Sequence, residues 1–283
     1  DGVFGYYPDL GELKTDRFQD EFRNDKFVQA ALTIEGKIGN WDLTYAGAYL
    51  DRKTASLTDY TDYADAYDDL YSQAGVGGLA YFYYLDSAGN FIYPRQYIRA
   101  SDHFTKMSQE VRIASPADKP LRLLVGAFYQ RQTNDIFQNY LIDGLAPNLS
   151  VNGRPGTLWL TKQEREDKDY ALFGELSWDI TPQFTLTGGG RLFRYDNSLF
   201  GFFGFGRDPN GPPFNGAGSS RTGVAGCFTT TGAILRNNPA GTLITDGRID
   251  LTPCTNLADF ENGRLVPKNV KGDGFTHRLN LQF

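Results

Sequence analysis

Few side chains in this chain are of types that do chemistry, and their spacing suits it poorly. Histidine occurs twice, at His103 and His277, each read as the start of a strand beside a long polar stretch. A metal site or general base needs partners at set spacing, and neither histidine has them. Gly201-Phe202-Phe203-Gly204-Phe205-Gly206 is glycine-rich. No strand–turn–helix context surrounds it, so it reads as an aromatic loop rather than a phosphate cradle. The expectation is a non-enzyme with no cofactor and no metal. Cys227 and Cys254 lie in Gly/Asn/Thr/Pro-rich sequence. In an oxidising compartment they would pair; the alternative is two unrelated thiols. What remains is recognition chemistry. Asp59 to Tyr71 interleaves tyrosine and aspartate, with Tyr60, Asp62, Tyr63 and Tyr67 as candidate ligand contacts. Tyrosine offers amphipathic contact area at low entropic cost; the plainer reading is a solvated, partly helical surface segment. Phe202, Phe203 and Phe205 form a second candidate set.

Composition narrows the class. The 283 residues carry a formal net charge of −6, which argues against a nucleic-acid partner and its basic patch. Aromatic residues make up 14% of the chain, too many for low-hydrophobicity disorder. No apolar run approaches the roughly 20 residues of a membrane helix, which excludes helical spans only. From Asp1 no charged segment leads into an apolar core, so a secretion signal is expected upstream or already removed.

The elements that must position these residues are strands. Seven segments alternate apolar and polar residues, at about 26–38, 41–53, 103–115, 120–133, 168–180, 183–196 and 273–283. The fifth is cleanest: Tyr170, Leu172, Leu176, Trp178 and Ile180 against Asp169, Glu175, Ser177 and Asp179. In the first, Val28 and Leu32 oppose Glu35; in the last, Leu279 opposes Arg278. The pattern breaks at Leu124, Phe128, Phe193 and Tyr195, which sit on the polar parity.

The connections carry more information than the strands. Gly39-Asn40, 116–120 and 181–183 are short. The stretches between these pairs, roughly 54–102, 134–167 and 197–272, are long and polar. Long structureless loops are uncommon in compact domains. Their strict alternation with short turns is how bacterial membrane barrels are built, with short periplasmic turns and long extracellular loops. Aromatics fall at two levels: Trp41 and Trp178 near short turns, and Tyr49 and Tyr170 eight residues away on the same parity. Eight residues at about 3.3 Å, tilted about 40°, span roughly 20 Å, close to the apolar band between two interfacial girdles. A soluble sandwich with one wet face would alternate too. It would not readily give the turn asymmetry together with two aromatic levels.

The stretch Met107-Ser108-Gln109-Glu110-Val111-Arg112-Ile113-Ala114-Ser115 resembles a strand of TonB-dependent outer-membrane receptors. So do Tyr170 to Leu176 followed by Asp179-Ile180-Thr181-Pro182, Leu186 to Leu192, and Arg194-Tyr195-Asp196. Most of those receptors read Gly-Leu-Arg where this chain has Gly190-Arg191, a small departure. The likeness covers about 25–196 well and 273–283 weakly. It rests on the order and spacing of the motifs rather than on any one of them.

The resemblance implies an all-β fold: a transmembrane antiparallel barrel of 22 strands, of which residues 1–283 would be an open section of about seven strands. The plug domain and the TonB-contacting segment (the TonB box) would lie elsewhere in the parent protein. Seven strands cannot close a membrane barrel, so a fragment from the middle of the barrel is expected, with Phe283 in an interior strand. The implied location is the bacterial outer membrane. The implied partners are outer-membrane lipid or lipopolysaccharide, the TonB system through the plug, and a small scarce nutrient complex such as a ferric siderophore, with no nucleic acid. Parity would turn Val28, Leu32, Leu172, Leu176 and Leu279 to lipid. It would turn Glu35, Arg52, Glu110, Arg112, Glu175, Arg191 and Arg278 to the lumen. Cys227 and Cys254 would then bridge within one extracellular loop. Two other readings stand beside uptake: a passive porin-like channel, and a surface adhesin or barrel enzyme, the last weakened by the missing catalytic set.

Overall fold

The computed structural model describes residues 11–12, 14, 17–63, 85–90, 92, 95–206, 223–244 and 252–283. Its frame is one seven-stranded antiparallel sheet. In chain order the strands are β1 (Phe22–Ile38), β2 (Trp41–Asp59), β3 (Tyr97–Ala114), β4 (Leu121–Leu141), β5 (Thr157–Thr181) and β6 (Phe184–Phe205). Then come a short hairpin, β7 (Asp259–Glu261) with β8 (Arg264–Val266), and finally β9 (Lys268–Gln282). The sheet order is β1-β2-β3-β4-β5-β6-β9, so pairing follows chain order, with only the β7–β8 hairpin set aside between β6 and β9. β1 and β9 are the two edges, and the section is open rather than closed on itself.

Local chemistry sets the short turns. Ile38 pairs with Trp41 across Gly39 and Asn40, and Gly39 takes φ 64°, the left-handed conformation that a two-residue hairpin favours. At the β3–β4 turn, the Ser115 hydroxyl accepts from the Leu123 amide at 2.8 Å, and the Ser115 amide donates to the Leu123 carbonyl at 2.8 Å. At the β5–β6 turn, Thr181 Oγ1 accepts from the amides of Gln183 and Phe184. All three turns lie on one rim, and the strand ends that lead into the long connections lie on the other.

The register separates two faces. One carries Val28, Leu32, Tyr49, Val111, Leu123, Val125, Tyr170, Leu172, Leu176, Trp178, Leu192, Phe275 and Leu279. These are exposed, Leu172 at 62% and Leu279 at 76%. A contiguous apolar surface of this extent is far from a soluble monomer's and suits hydrocarbon. The aromatic levels run obliquely across it. Tyr49 shares a row with Met107, Arg131 and Lys168, so Tyr170 lies two residues nearer the turns. Trp178 is displaced from Trp41 in the same sense and by the same amount. Two residues over three strand spacings correspond to a tilt of roughly 25°, which keeps both girdles level in a slanted sheet.

The residues that break the alternation now have a reason. Phe128, Phe173, Phe193 and Tyr195 lie on the polar face, where rings cover glycines of neighbouring strands: Phe173 over Gly126, Phe193 over Gly274, Tyr195 over Gly272. On the apolar face Phe275 covers Gly190, where a Cβ would come within 2.7 Å of the ring. Ring-over-glycine packing fills the surface left by the missing side chain.

The strands are longer than their alternation suggests. β5 has 25 residues, and β2, β4 and β6 likewise run past the segments 41–53, 120–133 and 183–196. Above the upper girdle both faces meet water or loops, so the apolar/polar period disappears while the ladder continues. The run Thr161-Lys162-Gln163-Glu164-Arg165-Glu166-Asp167-Lys168-Asp169 is polar throughout yet fully strand. The same effect corrects the reading of Gly201–Gly206 as a loop: Gly201 to Phe205 belong to β6.

This face assignment predicts that Leu172→Arg destabilises the membrane-embedded barrel by about 2–4 kcal/mol, whereas Arg in place of Gln130, on the other face, is tolerated. Urea unfolding in phospholipid vesicles measures both. Equal costs would contradict the assignment.

Candidate functional site

The polar face is a charged wall in its lower half. Glu35, Arg112 and Arg191 lie in one hydrogen-bonded row through Thr44, Gly126 and Phe173, with Glu110 in the adjoining row. Glu175 ion-pairs with Arg278 across Gly189, whose missing side chain lets the guanidinium cross an intervening strand. Arg112 reaches Glu110 at 3.4 Å, and the Arg191 guanidinium lies 5.4 Å over the Phe128 ring. Nearer the turns, Arg122 holds Asp179 through two hydrogen bonds, one of 2.7 Å. Toward the long-loop rim Arg52 forks onto Asp25, its Nε at 2.9 Å. Glu175, Asp179 and Asp25 are thus each held by an arginine of another strand, and Glu110 by Arg112 of its own strand.

At the long-loop rim the same face turns aromatic. Tyr60, just past the end of β2, meets Tyr140 of β4 edge to face at 5.5 Å. Tyr140 meets Trp159 of β5 at 6.5 Å, and Trp159 meets Phe203 and Phe205 of β6 at 5.8 and 4.8 Å. Tyr63 leans on Tyr60 at 4.3 Å. The row Ile98–Tyr140–Trp159–Phe205 explains the alignment, with Tyr60 reaching past Ile98. Trp159 donates its indole N–H to Thr161 Oγ1 at 3.0 Å.

Four of the expected ligand contacts, Tyr60, Tyr63, Phe203 and Phe205, are thus brought together. Asp62 is placed beside Arg17 at 3.4 Å, and Tyr67 lies outside the described residues. Phe202 is corrected. It points to the other face, is fully buried and serves as packing. Tyr140 and Trp159 carry no motif of their own in the sequence. Carrying the parity of Glu175 up β5 and that of Gln130 up β4 places both on the polar face. His103 is corrected too: it lies well inside β3, its Nε2 3.1 Å from Asp51 Oδ2. His277 lies on the apolar face of β9, its ring stacked 5.7 Å from Phe275. Among the described residues no group of three or more His, Cys, Asp or Glu side chains converges as metal ligands.

Loops brace this rim. Above Leu199–Lys268 the β6 edge has no β9 partner, and its backbone is satisfied otherwise. Gly201 exchanges hydrogen bonds with Leu257, and φ 146° there permits a close approach to the Lys162 carbonyl. Asn256 stands in for a strand: its Oδ1 accepts from the Phe203 amide at 3.0 Å, and its Nδ2 donates to the carbonyls of Phe203 and Gly223 at 2.8 and 2.9 Å. Phe202 and Leu160 pack beneath with Val224, Leu235 and the Cys227–Cys254 disulfide, whose Cα atoms are 5.9 Å apart. A second cluster joins Ile142, Leu145, Leu149 and Leu158 to Leu85 and Ile92. Beside Leu85, Asp86 accepts from Asn90 and Ala88, and these hydrogen bonds, led by the Asn90 side chain, hold its carboxyl below the usual range.

The sequence profile of the family described as TonB dependent receptor-like, beta-barrel, matches residues 2–252. Among solved structures, the ferric yersiniabactin uptake receptor FyuA from Yersinia pestis superimposes with a TM-score of 0.50 over 93% of this chain, at 9% identity. At that identity the likeness is one of fold. The chain covers 26% of that receptor's length. No curated protein matches the chain in sequence.

The bracing predicts that Cys227→Ser with Cys254→Ser leaves strand content unchanged but opens residues 223–244 and 252–258 to protease. The bridge closes a sequence separation of 27, worth about 3.5 kcal/mol on the chain-entropy estimate. Asn256→Ala, which orphans the Phe203 amide and removes a second hydrogen bond from the Phe203 and Gly223 carbonyls, is expected to act in the same direction. Limited proteolysis of outer-membrane vesicles is the measurement, and unchanged cleavage in both variants would contradict it.

Proposed function

The chain belongs to the TonB-dependent receptor β-barrel family, and on that premise we propose that it forms part of the wall of an outer-membrane receptor that imports a scarce nutrient complex. The family is one of transporters placed in the outer membrane of Gram-negative bacteria. The observation that carries the reading is the family match over residues 2–252. The two-faced sheet supports it physically: one face exposes aliphatic side chains between two aromatic levels, and the other is charged and internally paired.

In this reading the charged face is the lumen wall. Glu35, Glu110, Arg112, Glu175 and Arg191 line a conduit occupied by a plug domain of the parent protein, and the TonB system engages that plug. Lipid and lipopolysaccharide meet the apolar face. A ferric siderophore or similar iron chelate is the proposed cargo, first caught at the long-loop rim by Tyr60, Tyr63, Phe203 and Phe205. The section of wall neither closes nor transports by itself, because β1 and β9 each present an unpaired edge.

The expected outcome is energy-dependent uptake. The parent gene, expressed in a Gram-negative host stripped of its own receptors, should restore accumulation of radiolabelled ferric chelates, and a protonophore should abolish it. Accumulation that survives the protonophore would instead identify a passive channel.

A further inference from the structure

We propose that the outer face of β4, β5 and β6 carries a seat for a phosphorylated, acylated glycolipid of the outer leaflet, the chemistry of lipopolysaccharide. It rests on the outer-membrane reading above and assigns one lipid to a face which that reading leaves to lipid in general.

Three tiers of side chains succeed one another here in the order such a lipid requires. The lowest is an apolar groove of about 740 Å³, lined by Val125, Ala127, Leu172, Gly174, Gly190 and Phe275. Phe275 covers Gly190, but no ring covers Gly174, where an added Cβ would meet only the Leu124 carbonyl and Val125 at 3.4 Å. Gly174 lies four residues below Tyr170 on β5. At about 3.3 Å per residue and a tilt of about 40°, that is a depth of roughly 10 Å. The groove therefore sits in the outer half of a hydrocarbon core about 30 Å thick, at the depth of acyl chains.

The second tier is cationic. Tyr129 and Tyr170, their rings 5.1 Å apart, mark the interface. Two residues above them, Arg131 and Lys168 face each other across the β4–β5 pairing. Both bind Glu166, Arg131 at 2.7 Å, so two cations share one carboxylate. Arg194 stands opposite Tyr170 on one side and Asp273 on the other, and makes no ion pair among the described residues. Guanidinium and ammonium groups at headgroup height attract lipid phosphate.

The third tier is polar and recessed. Above the cations a cavity of about 290 Å³ is lined by Thr133, Asp135, Glu164, Glu166, Ser198 and Pro267. It shares Glu166 with the cation pair. Phe200 also lines it, buried with Ala258 and packed by Phe228 and Leu265. Phe200, Phe202 and Leu160 continue the parity of Leu172 and Tyr170. Val224, Cys227, Leu235 and Cys254, which pack on Phe202 and Leu160, therefore lie against the outside of the wall above the girdle. Hydroxyls and carboxylates are suited to pair with sugar hydroxyls. A glycerophospholipid would use the lower two tiers only, whereas a phosphorylated glucosamine lipid uses all three.

The test uses the full parent receptor, delipidated in detergent, with two probes: diphosphoryl lipid A and dioleoylphosphatidylglycerol, an anionic lipid without a sugar. Native mass spectrometry counts the lipid bound, and titration gives Kd. Lipid A should be held at least about tenfold more tightly than phosphatidylglycerol. Arg131→Gln with Lys168→Gln should weaken lipid A by about tenfold or more. Thr133→Val with Ser198→Ala should weaken lipid A alone, and Gly174→Leu, which fills the groove, should weaken both lipids. Lys53→Gln, a like loss of charge elsewhere on the same face, should change neither. Circular dichroism and unchanged heat-modifiable gel mobility show that the variants are folded. Equal binding of the two lipids, indifference to the Arg131 and Lys168 changes, or an equal loss with Lys53→Gln overturns the inference. Protonophore-sensitive uptake of ferric chelates in those cases leaves the uptake reading standing; its loss as well overturns both.

Discussion

Backbone hydrogen bonding governs this molecule. In hydrocarbon an unpaired amide or carbonyl costs several kcal/mol, so each strand must find both neighbours, and the sheet can only grow sideways until it closes. Sequential antiparallel pairing from β1 to β9 meets that demand with the shortest connections available on one rim. It also fixes what can vary. Side chains alternate between two environments without choice, and the aromatic girdles must slide along the strands to stay level as the sheet tilts. The two-residue displacement of Tyr170 and Trp178 relative to Tyr49 and Trp41 is that slide.

The same demand explains the upper rim. Where β9 stops pairing with β6, the ladder would leave an open edge. The loop answers with a short strand-like contact at Gly201 and with the amide of Asn256, which imitates a backbone group in both directions. Burial of Phe202 and Leu160 under that loop contributes roughly 1.5–3 kcal/mol for each side chain, and the disulfide limits how far the loop can stray when it opens. A connection that reads as polar and irregular thus packs as a lid on one face of the wall.

Within the wall, glycine and aromatic residues act together. A glycine removes a side chain from one strand so that a ring or a guanidinium from another can lie across it, as with Phe173 on Gly126 and Arg278 over Gly189. On the polar face these contacts flatten the aromatic rings into the surface and hold charges in cross-strand pairs. Fixed geometry of this kind suits a wall that must keep its shape while something else moves past it.

Much of this was legible in the residues. Alternation at 168–180 determined a strand and its two faces, the contrast of short turns with long connections determined one rim from the other, and the spacing of tryptophan and tyrosine determined the apolar band. Those features are local, and a period of two carries them without knowledge of any partner. What alternation could not convey began where the environment ceased to have two sides. Above the girdle, 161–169 has no apolar period while remaining strand, so alternation does not mark where strand ends and connection begins, and no local pattern marks Trp159 or Tyr140. Phe202 and Phe203 are neighbours of the same type, and their own sequence does not say which is covered. Tertiary structure decided that by laying Val224, Cys227, Leu235 and Cys254 on one face, and it decided the aromatic row by register across four strands. Both depend on pairings between residues far apart in the chain, and such pairings leave no imprint on the local pattern of either partner.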